Sequence, residues 1–241
     1  MLFIVSTSNA STIRIAVAAN VSYAITPLIE AFNVVYPKTK VQVILGSSGK
    51  LTAQITHGAP YDLFMSADMK YPNALYASKK SITVPVIYAQ GALALFSRTQ
   101  RDYCAEIFVL KDKDIGKIAI ANPKTAPYGL AAKEALTKVK LYEVLKPKFV
   151  HGESISQTVS YAMTATDIGI IAKSSLFSPQ MQHFKEAIHW AEVDDSLYTP
   201  IDQGMIILQR AKENVEVQAF YDFMLGTRAQ EILKTFGYKT R

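Results

Sequence analysis

The sequence predicts an α/β architecture in two lobes, on three observations. Buried strand patterns alternate with helical ones along almost the whole chain. One junction recurs four times: an apolar run that stops at small uncharged polar residues and resumes with helical spacing. Two extended stretches, 84–90 and 198–203, break the alternation where the chain would pass into a second lobe and return. Alternation with short connections favours mixed, mainly parallel sheets flanked by helices, and two crossings place a cleft between the lobes. The expected division is lobe I from 11–86 and 202–241, and lobe II from 87–201.

The elements follow in order. Residues 15–19 form an apolar run ending at Asn20, and apolar positions then recur at Val21, Ile25, Leu28, Ile29 and Phe32, so a strand, a tight turn and a helix are expected in that order. The polar break at 36–40 precedes a second strand at 41–45. Gly46, Ser47 and Ser48 then open another helical pattern. A short strand at 62–68, a helix through Leu75 and Tyr76, and the first crossing complete the first lobe. Across the crossing, strands are expected at 92–96, 117–121, 149–151, 167–174 and 189–193. Helices are expected at 129–139 and 158–164, each entered through a small polar turn. After the return crossing, 215–225 has an amphipathic spacing through Val217, Phe220, Tyr221 and Met224. A last helix over 228–236 closes at Gly237.

Composition excludes several function classes. At 241 residues, 49% hydrophobic and 19% charged, the chain can build real cores and is no disordered segment. Its net charge of +6 is dispersed, without a basic block or basic-aromatic interleaving, which argues against nucleic acid and for a mild attraction to anions. Cys104 is the single cysteine, so no internal disulfide can form. Residues 1–10 are set apart as the remnant of a secretory signal or a frayed start, since a short apolar run leads into the small residues Ser8 and Ala10.

The obvious catalytic motifs fail on spacing. Gly46-Ser-Ser-Gly-Lys50 has two residues where a Walker loop needs four, and the first junction, Ala18-Ala19-Asn20, has no dinucleotide-type glycines. The four histidines, His57, His151, His183 and His189, do not share a helix face, and Cys104 has no evident activating base. No serine lies in a nucleophile elbow. The chain is therefore not read as an enzyme, and no cofactor is expected.

The recurring junctions, at Asn20, Ser47-Ser48, Pro127-Tyr128-Gly129 and Ser154-Ile155-Ser156, carry the functional reading. The first N–H groups of a helix lack intrahelical acceptors, and the macrodipole favours negative charge there. A fully deprotonated oxyanion accepts hydrogen bonds and donates none, so its best cage contains donors and no carboxylate. Charge-assisted bonds net about 1.5–3 kcal/mol each, enough in number to offset lost hydration. Lys50 and Glu153 are expected to face solvent, and Asp62 and Asp68 to cap turns or touch the ligand.

Ala18-Ala19-Asn20, Gly46-Ser-Ser-Gly-Lys-Leu51, the stretch 58–68, Ala126-Pro-Tyr-Gly129 and 132–136 together resemble periplasmic molybdate-binding proteins of ABC transporters. The likeness runs on through 167–171 and 219–223. The resemblance implies a two-lobed type II periplasmic binding protein, monomeric, that captures molybdate or tungstate in its cleft and delivers it to a membrane permease. It also implies that molybdenum or tungsten is held as the oxyanion rather than by direct coordination. Carried over by position, the Asn20 side chain and the hydroxyl and N–H of Ser48 would hold the anion from one lobe, and the N–H groups of Tyr128 and Ile155 from the other. Ser47 and Ala19 are the lesser candidates. Relatives with serine at the place of Asn20, or a ligand tyrosine at the place of Ala172, mark where this chain departs; Tyr128 is the residue that could compensate for that phenol. The alternatives are an enzyme or effector-sensing domain on the same plan, or a receptor for sulfate or an organic anion.

Overall fold

The computed structural model describes residues 11–240, so the secretory-signal expectation for 1–10 lies outside the described residues. Strand β1 (Ser11–Ala18) pairs in parallel with β2 (Thr39–Gly46) and β3 (Leu63–Met65). Successive side chains of a strand face opposite sides of the sheet. Ile13, Ile15 and Val17 accordingly pack against helices α1 (Ile25–Val35), α7 (Val215–Leu225) and α8 (Thr227–Thr235). Ala16 instead joins Phe64 under α2 (Ser48–Thr56) and α3 (Lys70–Ala77). Phe32 anchors the α1 side, with ring centroids 4.6 Å from Tyr36 and 5.1 Å from Phe220.

The second sheet repeats this plan with β5 (Leu93–Phe96), β6 (Ile118–Ala121), β7 (Phe149–Gly152), β8 (Ile168–Ala172) and β9 (Trp190–Glu192). Its strand order is β7-β6-β8-β5-β9. The first sheet runs β2-β1-β3-β10-β4, where β4 is Val86–Gly91 and β10 is Ile201–Ile207. Helix α4 (Pro127–Lys138) covers one face of the second sheet, with the short α5 (Tyr142–Leu145) beside it, and α6 (Ile155–Thr164) covers the other.

Three findings refine the sequence reading. The sheets are mixed, but among the described residues four of the eight strand pairings are antiparallel, because β10 and β5 each run against both their neighbours. The two expected crossings are largely strands β4 and β10, paired with each other inside the first sheet. The chain therefore changes sheet between Gly91 and Leu93, beyond the expected boundary at 86/87. Finally, the tight turn expected after the first strand is a 3-10 turn, Ala19–Val21, and α1 begins only at Ile25, later than the helical spacing from Val21 suggests.

Candidate functional site

Four of the parallel strands, β1 and β2 of the first sheet and β6 and β7 of the second, end in short turns that line one cavity between the lobes, and three of those turns start helices. In open α/β sheets, ligands bind beyond the carboxyl ends of the strands. After β2, Ser47 takes an extended backbone (φ −68°, ψ 146°) as the residue before α2, yet its side chain caps nothing. After β6, Pro127 opens α4, where its missing N–H costs no hydrogen bond and its fixed φ suits the first turn. After β7, Ser154 caps α6 by accepting from the N–H of Gln157. First-turn N–H groups have no acceptor within their own helix. Gly49 N–H goes to Thr125 O at 2.9 Å and Gly129 N–H to Ala126 O at 2.9 Å, while those of Ser48, Tyr128 and Ile155 open the three helices beside one small cavity.

That cavity measures about 10 Å³ and is lined by Ala18, Ala19, Asn20, Gly46, Ser47, Ser48, Ala67, Ala126, Pro127, Tyr128 and Ile155. Ala19, Asn20, Ser47, Ser48, Tyr128 and Ile155, the six residues proposed from sequence, all line it. The space is close to that of a single water-sized sphere. No carboxylate, lysine, arginine or histidine is among its lining residues, so its field comes from backbone dipoles and hydroxyls.

The individual groups differ in what they can offer. Ser48, fully buried, accepts from Ala67 N–H at 2.9 Å through its Oγ, which leaves its own hydrogen free to donate elsewhere. The buried Ser47 hydroxyl has no partner among the described residues. Asn20 departs from expectation: its Nδ2 donates to Gln203 Oε1 at 2.8 Å and to Tyr238 OH at 2.9 Å, so both amide hydrogens are spent inside the protein. What its segment retains for a ligand is backbone N–H at the start of the Ala19–Val21 turn. Tyr128 extends its phenol from the start of α4 to Gly91 at the end of β4, where a Cβ would come within 2.0 Å of its hydroxyl. Burial, reinforced by Tyr238, Tyr88 and Tyr198 nearby, pushes that phenol well above the ordinary tyrosine range. It is neutral at any physiological pH.

The remaining candidates have structural duties. Asp62 accepts from Arg14 N–H at 2.7 Å and pairs with Arg210 Nε at 2.8 Å. Asp68 accepts from Tyr71 N–H at 3.2 Å and Ser66 Oγ at 3.1 Å, and burial raises its carboxyl above the usual range. Lys50 and Glu153 are exposed, as expected, and are paired with each other at 2.7 Å across the cleft mouth. Among the described residues, no group of three His, Cys, Asp or Glu side chains is placed to hold a metal ion.

Two residues that organise the site, Gln203 and Tyr238, stand in the sequence as part of a crossing and as an ordinary tyrosine. The only signal for the first is a glutamine standing between Asp202 and the apolar end of the stretch 201–207, which is weak. For Tyr238 there was none, since one tyrosine after a helix-ending glycine has no pattern around it.

Two sheets of one plan, joined through paired strands and closed over a cavity made of helix starts, define a type II solute-binding protein. A model of the bacterial extracellular solute-binding protein family matches residues 13–239, and the chain belongs to that family. Among curated relatives, it is 37% identical over 204 residues to the molybdate-binding protein ModA of Rhodobacter capsulatus, covering 83% of this chain and 77% of that protein. It is 34% identical over 235 residues to ModA of Azotobacter vinelandii, covering 96% and 91%. The solved structure of the Azotobacter vinelandii periplasmic molybdate-binding protein superimposes with a TM-score of 0.87 at 30% identity, over 95% of this chain and 99% of that one.

Proposed function

We propose that this protein is the substrate-binding receptor of a molybdate ABC importer, with tungstate as an equivalent cargo. It is exported to the periplasm, works as a monomer and hands its anion to a membrane permease; it performs no catalysis. The observation that carries the reading is one small cavity on which the helix starts at Ser48, Tyr128 and Ile155 converge with the hydroxyls of Ser47 and Ser48 and no charged side chain. The names of the relatives above, molybdate-binding proteins matched over most of their length, support the choice of cargo.

In this reading Ser48 donates its hydroxyl and N–H, Ser47 its hydroxyl, and Tyr128 and Ile155 their N–H groups, while Ala19 and Asn20 contribute backbone from the first turn. The anion is held as a fully deprotonated dianion. A protonated phosphate would bring a hydrogen that no carboxylate in the lining could accept.

Titration calorimetry with molybdate, tungstate, sulfate and phosphate tests this. Tight binding of the first two with weak or absent binding of phosphate is expected. A folded protein silent towards all four would overturn the reading.

A further inference from the structure

Gln203 is wholly buried and sits at the irregular point of β10, where its pairing with β4 shifts register between Gln203 and Gly204. Such a bulge re-aims a side chain. Here it turns Gln203 towards the site, although Gln203 does not line the cavity. Its Nε2 donates to Ile201 O at 2.9 Å and Ala67 O at 3.4 Å. Two carbonyls can be met only by N–H groups, so Oε1 is necessarily the end presented to Asn20. That fixes the Asn20 amide in turn, with Nδ2 towards Gln203.

The second Asn20 hydrogen reaches Tyr238 OH, and the phenol donates back to Asn20 O at 2.9 Å. Ser174, from the other lobe, donates to the same carbonyl at 3.1 Å. Tyr238 is held in place because Lys239 pairs with Gln90 of β4 by two backbone hydrogen bonds of 2.8 and 2.9 Å. Ala67 closes the circuit, taking a bond from Gln203 through its carbonyl and giving one to Ser48 Oγ through its N–H. One continuous chain of hydrogen bonds thus joins Ser48 to Asn20 through Ala67, which lines the cavity, and Gln203, which does not.

We propose that Gln203 and Tyr238 are positioning residues of the anion site. By taking both amide hydrogens of Asn20 they hold the Ala19–Val21 turn and Ser48 in one arrangement, and they set the anion radius that the cradle accepts without touching the anion. The proposal rests on the oxyanion reading above and refines it: Asn20 serves as the keystone of the cradle, and its side chain donates nothing to the ligand.

The test uses Gln203→Met and Tyr238→Phe, each retaining the bulk of the side chain, titrated with sodium molybdate and with sodium sulfate. Each variant is expected to lose about fivefold or more in molybdate affinity and to show a smaller molybdate-to-sulfate ratio. In an Asn20→Ala background, Gln203→Met should add nothing further, because the two act through one bond. Unchanged affinity and ratio in both variants, or full additivity with Asn20→Ala, would overturn the proposal. NMR of the unmutated protein decides the matter independently of variant folding. Both Asn20 side-chain amide hydrogens should exchange slowly with solvent and stay unshifted when molybdate is added, whereas fast exchange or a direct ligand-induced shift of that amide overturns the assignment. Silence of the unmutated protein towards molybdate would count against the proposed cargo, and the amide-exchange measurement would still decide the positioning role.

Discussion

Lys50 Nζ lies 2.7 Å from Glu153 Oε1, and the two residues belong to opposite lobes. Lys50 is in the first turns of α2, two positions after Ser48, and Glu153 precedes Ile155 by two at the entrance to α6. The pair therefore spans the cleft directly over the cavity. Both side chains are more than half exposed, at 51% and 62%, and exposed pairs contribute about 0–1 kcal/mol. That is too little to matter for folding, but it acts on closure alone.

Lys50→Gln should accordingly leave the melting temperature unchanged and accelerate molybdate release by up to about fivefold, measured by stopped-flow displacement at low salt. Near 1 M salt, where the screening length shrinks to about 3 Å, the difference from the unmutated protein should vanish. Equal release rates at low salt would remove the pair from the closing mechanism.

Ser47 and Ser48 are adjacent hydroxyls with opposite expected signatures. Removing the Ser48 hydroxyl also orphans Ala67 N–H, which it accepts at 2.9 Å. Ser48→Ala should therefore lose both stability, about 1 kcal/mol or more, and anion affinity, about tenfold to 100-fold. The Ser47 hydroxyl has no partner among the described residues, so Ser47→Ala should keep or raise the melting temperature while weakening molybdate binding by about tenfold. Calorimetry combined with thermal denaturation separates the two. A Ser47→Ala protein that binds normally would show that this hydroxyl is not a ligand.

The junctions that make the site were legible because each is a local pattern: an apolar run, two or three small polar residues, then helical spacing. All six proposed residues line the same cavity for that reason. Other features were hidden because they depend on distant pairing. Asn20 reads as a donor in isolation and loses that role only when Gln203 and Tyr238, far along the chain, are brought to it. Likewise, 84–90 and 198–203 read as crossings because nothing local reveals that β4 and β10 pair with each other. The turn after β1 was legible, but the start of α1 was not, since Val21 and Ile25 fit a continuous helical spacing equally well.

Affinity for molybdate should be flat between about pH 6 and about pH 9. Tyr128, the one titratable side chain lining the cavity, has its phenol raised by burial and stays neutral throughout. The interlobe pair Lys239 to Asp195, at 2.9 Å, is also intact across that window. Lys239 holds the Asp195 carboxyl below its ordinary value by their hydrogen bond, so that contribution is present above the unfolded pKa near 3.9 and is lost only as pH falls through the lower folded value. Lys239 is raised by the same bond, so its contribution is present below about 10.4 and is lost as pH rises through the folded value. Calorimetry at three pH values checks this; a slope within the window would require a titrating group in contact with the anion.

Gly49 offers a way to separate closure from folding. It is the second residue of α2, and its N–H donates to Thr125 O of the other lobe at 2.9 Å. A Cβ added there would lie 2.7 Å from Tyr71 OH, 3.0 Å from Thr125 O and 3.1 Å from Thr125 Cα. The tyrosine tip can swing aside, but the Thr125 backbone can yield only if the second lobe moves back. Within the helix, alanine is the better residue by up to about 1 kcal/mol. Gly49→Ala should therefore hold or raise the melting temperature of the ligand-free protein while weakening molybdate binding by at least about tenfold, because the methyl group stands in the closing contact. Small-angle scattering with saturating molybdate should show a more open molecule than the unmutated protein gives. If the variant binds and compacts normally, the lobes can close without the approach of α2 to Thr125, and that contact is incidental to capture.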